Sequence, residues 1–231
     1  MKKIIRGSLC LATLGLLGLA PYAVADSSDP MLLTSAGSNV MGGIYVGAYT
    51  ALVNGVSTQV VCDDFADDSY INESWTASVT NFSSLGSTKW QSSAGYNEAA
   101  WLIRQMFSSS NPTTVGEIQY AIWGIFDPNA IPYLNGVNGG YAQAAQGLIN
   151  EAAAQNYTPG EFSNFLLYTP VSGTATCGGR PCPTQGPPQE FIAVHVPESP
   201  FLTTLAGDML GLALIAMVLR RRLLRANGGV S

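Results

Sequence analysis

The chain has 231 residues, with 10 Lys and Arg against 15 Asp and Glu, one His, four Cys and 47% hydrophobic residues. Residues 1–25 and 199–231 each carry +3, so the net charge of −5 leaves −11 on residues 26–198, whose only cations are Lys89, Arg104 and Arg180. A body that acidic repels a phosphate backbone, which argues against nucleic-acid binding, and a single His without a Cys-rich cluster argues against a zinc site.

The N-terminus places Lys2, Lys3 and Arg6 ahead of an apolar run from Leu9 to Ala20, followed by Ala23-Val24-Ala25. This is the pattern of a signal peptide cut after Ala25, removing Cys10; a retained anchor is the alternative. Residues 26–41 are rich in Ser, Gly and Asp and read as a flexible lead-in to a domain over 42–196. Ile44 to Val53 and Val56 to Phe65 have strand character, and Asn54-Gly55 between them signals a type I′ hairpin. Tyr70 to Phe82 reads as a further strand, with Trp75, Ala77 and Val79 on one face.

The period then changes to helical. Ala99, Leu102, Ile103 and Met106 share a face within Glu98 to Phe107. Thr114 and Glu117 have the spacing of a capping box, opening a helix with Ile118, Ile122 and Ile125 along its stripe and ending by Pro128. Tyr141 to Gln155 is a third, alanine-rich helix, after which Phe162 to Val171 and Phe191 to Val196 return to strand character. The order predicts an α+β fold: an antiparallel β-sandwich or barrel-like sheet with an inserted helical lobe.

The C-terminus is organised as well. Val196-Pro197-Glu198-Ser199-Pro200 precedes an apolar stretch over 201–219, long enough for a transmembrane helix, and Arg220, Arg221 and Arg222 follow. Asp208 within the span is costly in lipid. This tail resembles the PEP-CTERM sorting signal, although Ser199 interrupts the usual Pro-Glu-Pro and the chain runs on to Ser231. The resemblance implies export, anchoring in the inner membrane by the C-terminal helix, and processing by an exosortase-type enzyme that releases the protein to the cell surface or an exopolysaccharide matrix of a biofilm. An ordinary C-terminal anchor is the alternative.

An exported chain meets an oxidising compartment. Cys177 and Cys182 bracket a short Gly- and Pro-containing loop and are a possible disulfide, which leaves Cys62 unpartnered. One reading of Cys62 is a buried thiol acting as a small hydrophobe. A second pairs it with Gln119: a thiolate adding to that carboxamide and expelling ammonia would leave an internal thioester, kept dry by an aromatic wall of Trp101, Tyr120 and Trp123.

Val61-Cys62-Asp63-Asp64 and Glu117-Ile118-Gln119-Tyr120-Ala121-Ile122-Trp123 resemble the paired signatures of bacterial surface thioester domains of the TQXA type, and Ala99 to Ile103 is similar to that family's preceding helix. Ile118 stands where the family pattern has Thr, and Cys62 and Gln119 are closer in sequence than expected. The resemblance implies an adhesin, not an enzyme: an amine or hydroxyl on a partner surface attacks the thioester once, leaving an amide or ester through Gln119. The rival is a passive structural matrix protein.

Asp63 and Asp64 are possible supports that orient the Gln119 amide or assist proton transfer. With Asp67, Asp68 and Glu73 they also admit a calcium reading, without the spacing of a known loop. A Cys-His protease would need Cys62 beside His195, which sits on a strand leading into the sorting signal, a poor place for a base. No cofactor is expected.

Overall fold

The computed structural model describes residues 27–195 apart from 138, 179, 181 and 183–185. The expected signal peptide over 1–25, Cys10, the sorting motif beginning at Val196, the span over 201–219 and Arg220 to Arg222 lie outside the described residues. Among the described residues no helix is long and apolar enough to cross a membrane.

In chain order, five strands come first: β1 (Ser27–Ser35), β2 (Val40–Met41), β3 (Ile44–Tyr45), β4 (Tyr49–Val53) and β5 (Val56–Cys62). Then follow β6 (Glu73–Asn81), the helices α1 (Ser93–Ser108), α2 (Pro112–Phe126), α3 (Ala130–Val137) and α4 (Gly139–Ala153), and finally β7 (Phe165–Pro170), β8 (Thr176–Cys177) and β9 (Phe191–Val194). Six strands close into an antiparallel barrel in the order β1-β4-β5-β9-β7-β6, and β6 pairs back onto β1. The α+β expectation is therefore met by a closed barrel, with the helical lobe inserted between β6 and β7. The short β8 pairs with β6 outside the ring, and β2 and β3 form a separate two-stranded sheet.

Alternation shapes the barrel wall. Tyr49, Ala51 and Val53 of β4 and Trp75, Ala77 and Val79 of β6 are buried, while the residues between them are half-exposed. The pattern breaks on one side of the ring: Val60, Val61 and Cys62 of β5 and Phe191, Ile192 and Ala193 of β9 are buried consecutively, so both faces of these strands are covered. Asn54 and Gly55 both adopt positive φ, the type I′ geometry expected between β4 and β5.

Several expectations are corrected. Ser27–Ser35 is a barrel strand, not a flexible lead-in: Met31 and Leu33 are buried behind the polar start, and β1 joins both β4 and β6. The run from Ile44 to Val53 is split between β3 and β4 by Gly47 at φ +98°. The α2 helix begins at Pro112, not after Thr114. Asn111 is its N-cap, its Oδ1 accepting from Thr113 N–H at 2.9 Å, and Pro112 sits where a missing N–H costs nothing. Its residues Ile118 to Trp123 are buried all round, because α2 packs against α1, α3 and α4 as well as the barrel end. The helix α3 was not expected; Asp127 starts it by accepting from Asn129 N–H at 2.8 Å.

Candidate functional site

Cys62 ends β5 at the rim of the barrel, and Gln119 lies midway along α2, which crosses that rim. Both are 0% exposed. The two residues meet: Gln119 Nε2 donates to the Cys62 carbonyl oxygen at 2.6 Å, and Gln119 Oε1 accepts from the Gly47 N–H at 3.3 Å. A backbone acceptor on one side and a backbone donor on the other fix which end of the carboxamide is oxygen.

The sulfur has its own partners. Trp123, one turn beyond Gln119 on α2, points its indole N–H at Cys62 Sγ at 3.5 Å. Asp64 N–H donates to the sulfur at 3.3 Å, and the Asp64 carbonyl stands 3.1 Å away where a thiol proton would be donated. Burial pushes the Cys62 thiol well up, and the carboxyl groups of Asp64 and Asp63 add to this, against the lowering effect of the Trp123 and Asp64 N–H donors. The resting group is thus a neutral thiol with two donors aimed at any negative charge that develops on it.

The aromatic wall expected from Trp101, Tyr120 and Trp123 is present in part. Tyr120 and Trp123 are buried and meet edge to face at 5.1 Å, and Phe65 packs on both, at 6.2 and 5.4 Å. Tyr133 of α3 completes the set, 5.6 Å from Phe65 and stacked 6.4 Å from Tyr120. Trp101 is not part of it. It is half-buried in a groove with Arg104, Ser108, Thr114 and Ile118, since its place on α1 differs by one residue from the inward pair Leu102 and Ile103.

The two supporting carboxyl groups part company. Asp64 folds back on its own loop, its Oδ1 accepting from the Ala66 and Asp67 N–H groups and its Oδ2 pairing with Lys89 Nζ at 2.6 Å. Lys89 also pairs with Asp67 at 2.6 Å. Burial pulls the ammonium down, but the hydrogen bonds and charges of Asp64 and Asp67 more than reverse this. The calcium reading would place a cation between these carboxylates, where Lys89 already stands.

Asp63 is wholly buried beside Glu190, and neither of its side-chain oxygens has a hydrogen-bond partner. Burial first, then the adjacent Glu190 and Asp64, drive its carboxyl well above the usual range, which favours its protonated form. Glu190 itself accepts from the Tyr96 hydroxyl at 2.5 Å, from the Lys89 N–H at 2.9 Å and from the Thr169 hydroxyl, the pattern of a carboxylate.

Glu190, Tyr96, Lys89, Gly47 and Tyr133 were not anticipated as site residues. Of these only Glu190, an acid entering the apolar run of β9, left a local signal. Cys177 and Cys182 form the expected disulfide, with Cα atoms 4.9 Å apart. Glu73 lies near both sulfurs, but the disulfide removes them as metal ligands. His195, just past the end of β9, lies four residues from Phe191, the partner of Cys62, or roughly 13 Å at strand spacing, so no Cys-His pair is assembled.

The sequence matches no protein-family model and no curated protein. Among solved structures it is similar to the N-terminal thioester domain of a surface protein from Clostridium perfringens, over 73% of this chain and 98% of that one, at 13% identity and a TM-score of 0.41.

Proposed function

We propose that the chain is an exported adhesion domain that stores an internal thioester between Cys62 and Gln119 and spends it once on a partner nucleophile. The observation that carries this reading is the sealed contact of the two residues, with the Gln119 carbonyl held by the Gly47 N–H and the Cys62 sulfur faced by two N–H donors.

In forming the bond, Cys62 Sγ adds to the Gln119 acyl carbon, and the Gly47 N–H takes up the charge that develops on Oε1. The carbon–nitrogen bond then breaks, and the thiol proton leaves on the amide nitrogen as ammonia. A primary amine or hydroxyl of a partner later attacks the same carbon. The carbon–sulfur bond breaks, the Trp123 and Asp64 N–H groups stabilise the departing thiolate, and the sulfur takes the proton released by the nucleophile. One event consumes the store, so there is no turnover. Tyr120, Trp123 and the barrel rim exclude the water that would hydrolyse it.

The signal peptide and the sorting tail with its basic cluster would deliver this domain to the cell surface or matrix. The processing partner there would be an exosortase-type enzyme and the acceptor a surface amine or hydroxyl.

Intact-mass measurement of freshly purified protein tests the reading. The expected mass is lower than the sequence mass by one ammonia; methylamine should abolish the deficit and leave an adduct on Gln119, and Cys62→Ala and Gln119→Ala should show neither change. Full sequence mass with an alkylatable Cys62 in the fresh protein would leave the passive matrix reading, in which Cys62 is a core thiol.

A further inference from the structure

A stored acyl group is useful only if a partner can reach it, and Cys62 and Gln119 have no exposed surface. Something in their cover must move. Most of that cover is barrel wall and the four-helix lobe, both tied into the main core. Residues 37–47 differ in their backbone pairing, while Met41 and Val46 anchor them in the same core. Their two strands, β2 and β3, form a sheet of their own that shares no ladder with the barrel, and an isolated two-stranded ribbon is marginally stable by itself.

The segment has both the attachments and the joints of a moving part. It is held down by the Tyr120 hydroxyl donating to the Met41 carbonyl at 3.2 Å, the Tyr133 hydroxyl donating to the Gly42 carbonyl at 2.9 Å, and the Gly47 N–H on Gln119. Gly37 and Gly47, at its two ends, both sit at positive φ, +73° and +98°, where a chain can swing at little steric cost. A half-open cavity of about 390 Å³, lined by Asn39, Val40, Met41, Gly42, Pro112 and Tyr141, lies alongside it. Val40 and Tyr45, one on each of its strands, are 58% and 52% exposed.

We propose that residues 37–47 form a flap over the Cys62–Gln119 pair, closed while the acyl group is stored and lifted when a partner's nucleophile is admitted. The flap rests on the thioester reading. It adds a division of labour: closed, it seals the pair and keeps the Gly47 N–H on the acyl oxygen; open, it exposes the acyl carbon along the side bounded by Phe65, Tyr120 and Tyr133.

The flap can be locked. A Cβ built on Gly116 would lie 3.3 Å from Met41 Cβ, close to the span of a disulfide, and Gly116 is on a regular helix. In Met41→Cys/Gly116→Cys, oxidation should leave the ammonia deficit intact while slowing the uptake of a fluorophore-bearing cadaverine roughly tenfold against the same variant opened by a phosphine reductant. The parent protein treated with phosphine serves as reference, because Cys177–Cys182 opens as well. Tyr133→Phe, which releases the Gly42 carbonyl, should speed uptake severalfold. Equal cadaverine rates in the oxidised and reduced double variant, with the ammonia deficit present, would overturn the flap and leave the thioester standing. If the engineered disulfide does not form, an unchanged rate in Tyr133→Phe overturns the flap in the same way. A parent protein with no deficit overturns the thioester reading and the flap together.

Discussion

The chain keeps its described sulfurs in two unlike places. Cys177 and Cys182 join across a loop five residues apart, half-exposed, with Cys177 on a short strand outside the barrel ring. Cys62 sits where barrel and helical lobe meet, bonded to no other sulfur and fully buried. The first arrangement is local and tolerates water. The second depends on parts of the chain far apart in sequence: Gln119 reaches Gly47 across 72 positions, and Tyr96 reaches Glu190 across 94. A local cross-link restrains a loop, whereas a sulfur sealed by distant elements reports on the whole fold.

Perturbing each region should give effects of different size and reach. The largest is expected from Glu190→Ala, which strips the partner from the Tyr96 and Thr169 hydroxyls and the Lys89 N–H in a buried setting. A loss of about 4 kcal/mol in denaturant unfolding is expected, together with faster alkylation of Cys62 where the parent retains a thiol. Replacing Cys177 and Cys182 by Ser should cost less. Opening a loop of separation five removes about 2 kcal/mol by the chain-entropy relation, and Cys62 should remain as protected as before. If Cys62 became reactive in that variant, the two regions would not be independent.

Read per pH unit, the smallest change belongs to Asp63 and shows as a pH dependence. Its carboxyl is raised in the folded state, so its contribution is complete below the unfolded value near pH 4 and is lost as pH rises toward the folded one. The parent should therefore lose up to about 1.4 kcal/mol per pH unit over that window, and Asp63→Asn should flatten the slope in urea titrations from pH 4 to 7. An unchanged slope would mean that the Asp63 carboxyl is not raised in the folded protein.

How much of this was legible in the sequence depended on how local each cause is. The Asn54-Gly55 turn was readable because two adjacent residues determine it. Trp75, Ala77 and Val79 were readable because alternation survives on a wall with one face inward. The pairing of Cys62 with Gln119 was reached through short motifs, each contained in a single element. Elsewhere, composition misled: the polar start of β1 concealed Met31 and Leu33, and Thr114 with Glu117 imitated a capping box one turn after the true cap at Asn111. The helix α3 was missed because Pro132 and Gly136 discourage a helical reading, although a proline in the first turn forfeits no hydrogen bond. Gly47 could not be placed at all, and Glu190 left only an acid at the entry to an apolar strand, since their partners come from remote segments. Trp101 was assigned to the wrong side because a helix turns 100° per residue, and neighbours of a buried stripe look like members of it.

The position of β9 has a consequence for how the protein is made. It is the final described strand along the chain, yet it lies between β5 and β7 in the ring. While the polypeptide emerges from its amino end, the barrel stays a split cylinder, and Cys62 has no lid of strands beside it. Cys177 and Cys182 appear before β9 and need only a tiny loop to find each other, a far quicker search than long-range strand pairing. In an oxidising compartment, their early union would take two competing thiols out of circulation just before the last strand slots in, so the sequence order itself would shield the lone sulfur from the wrong marriage.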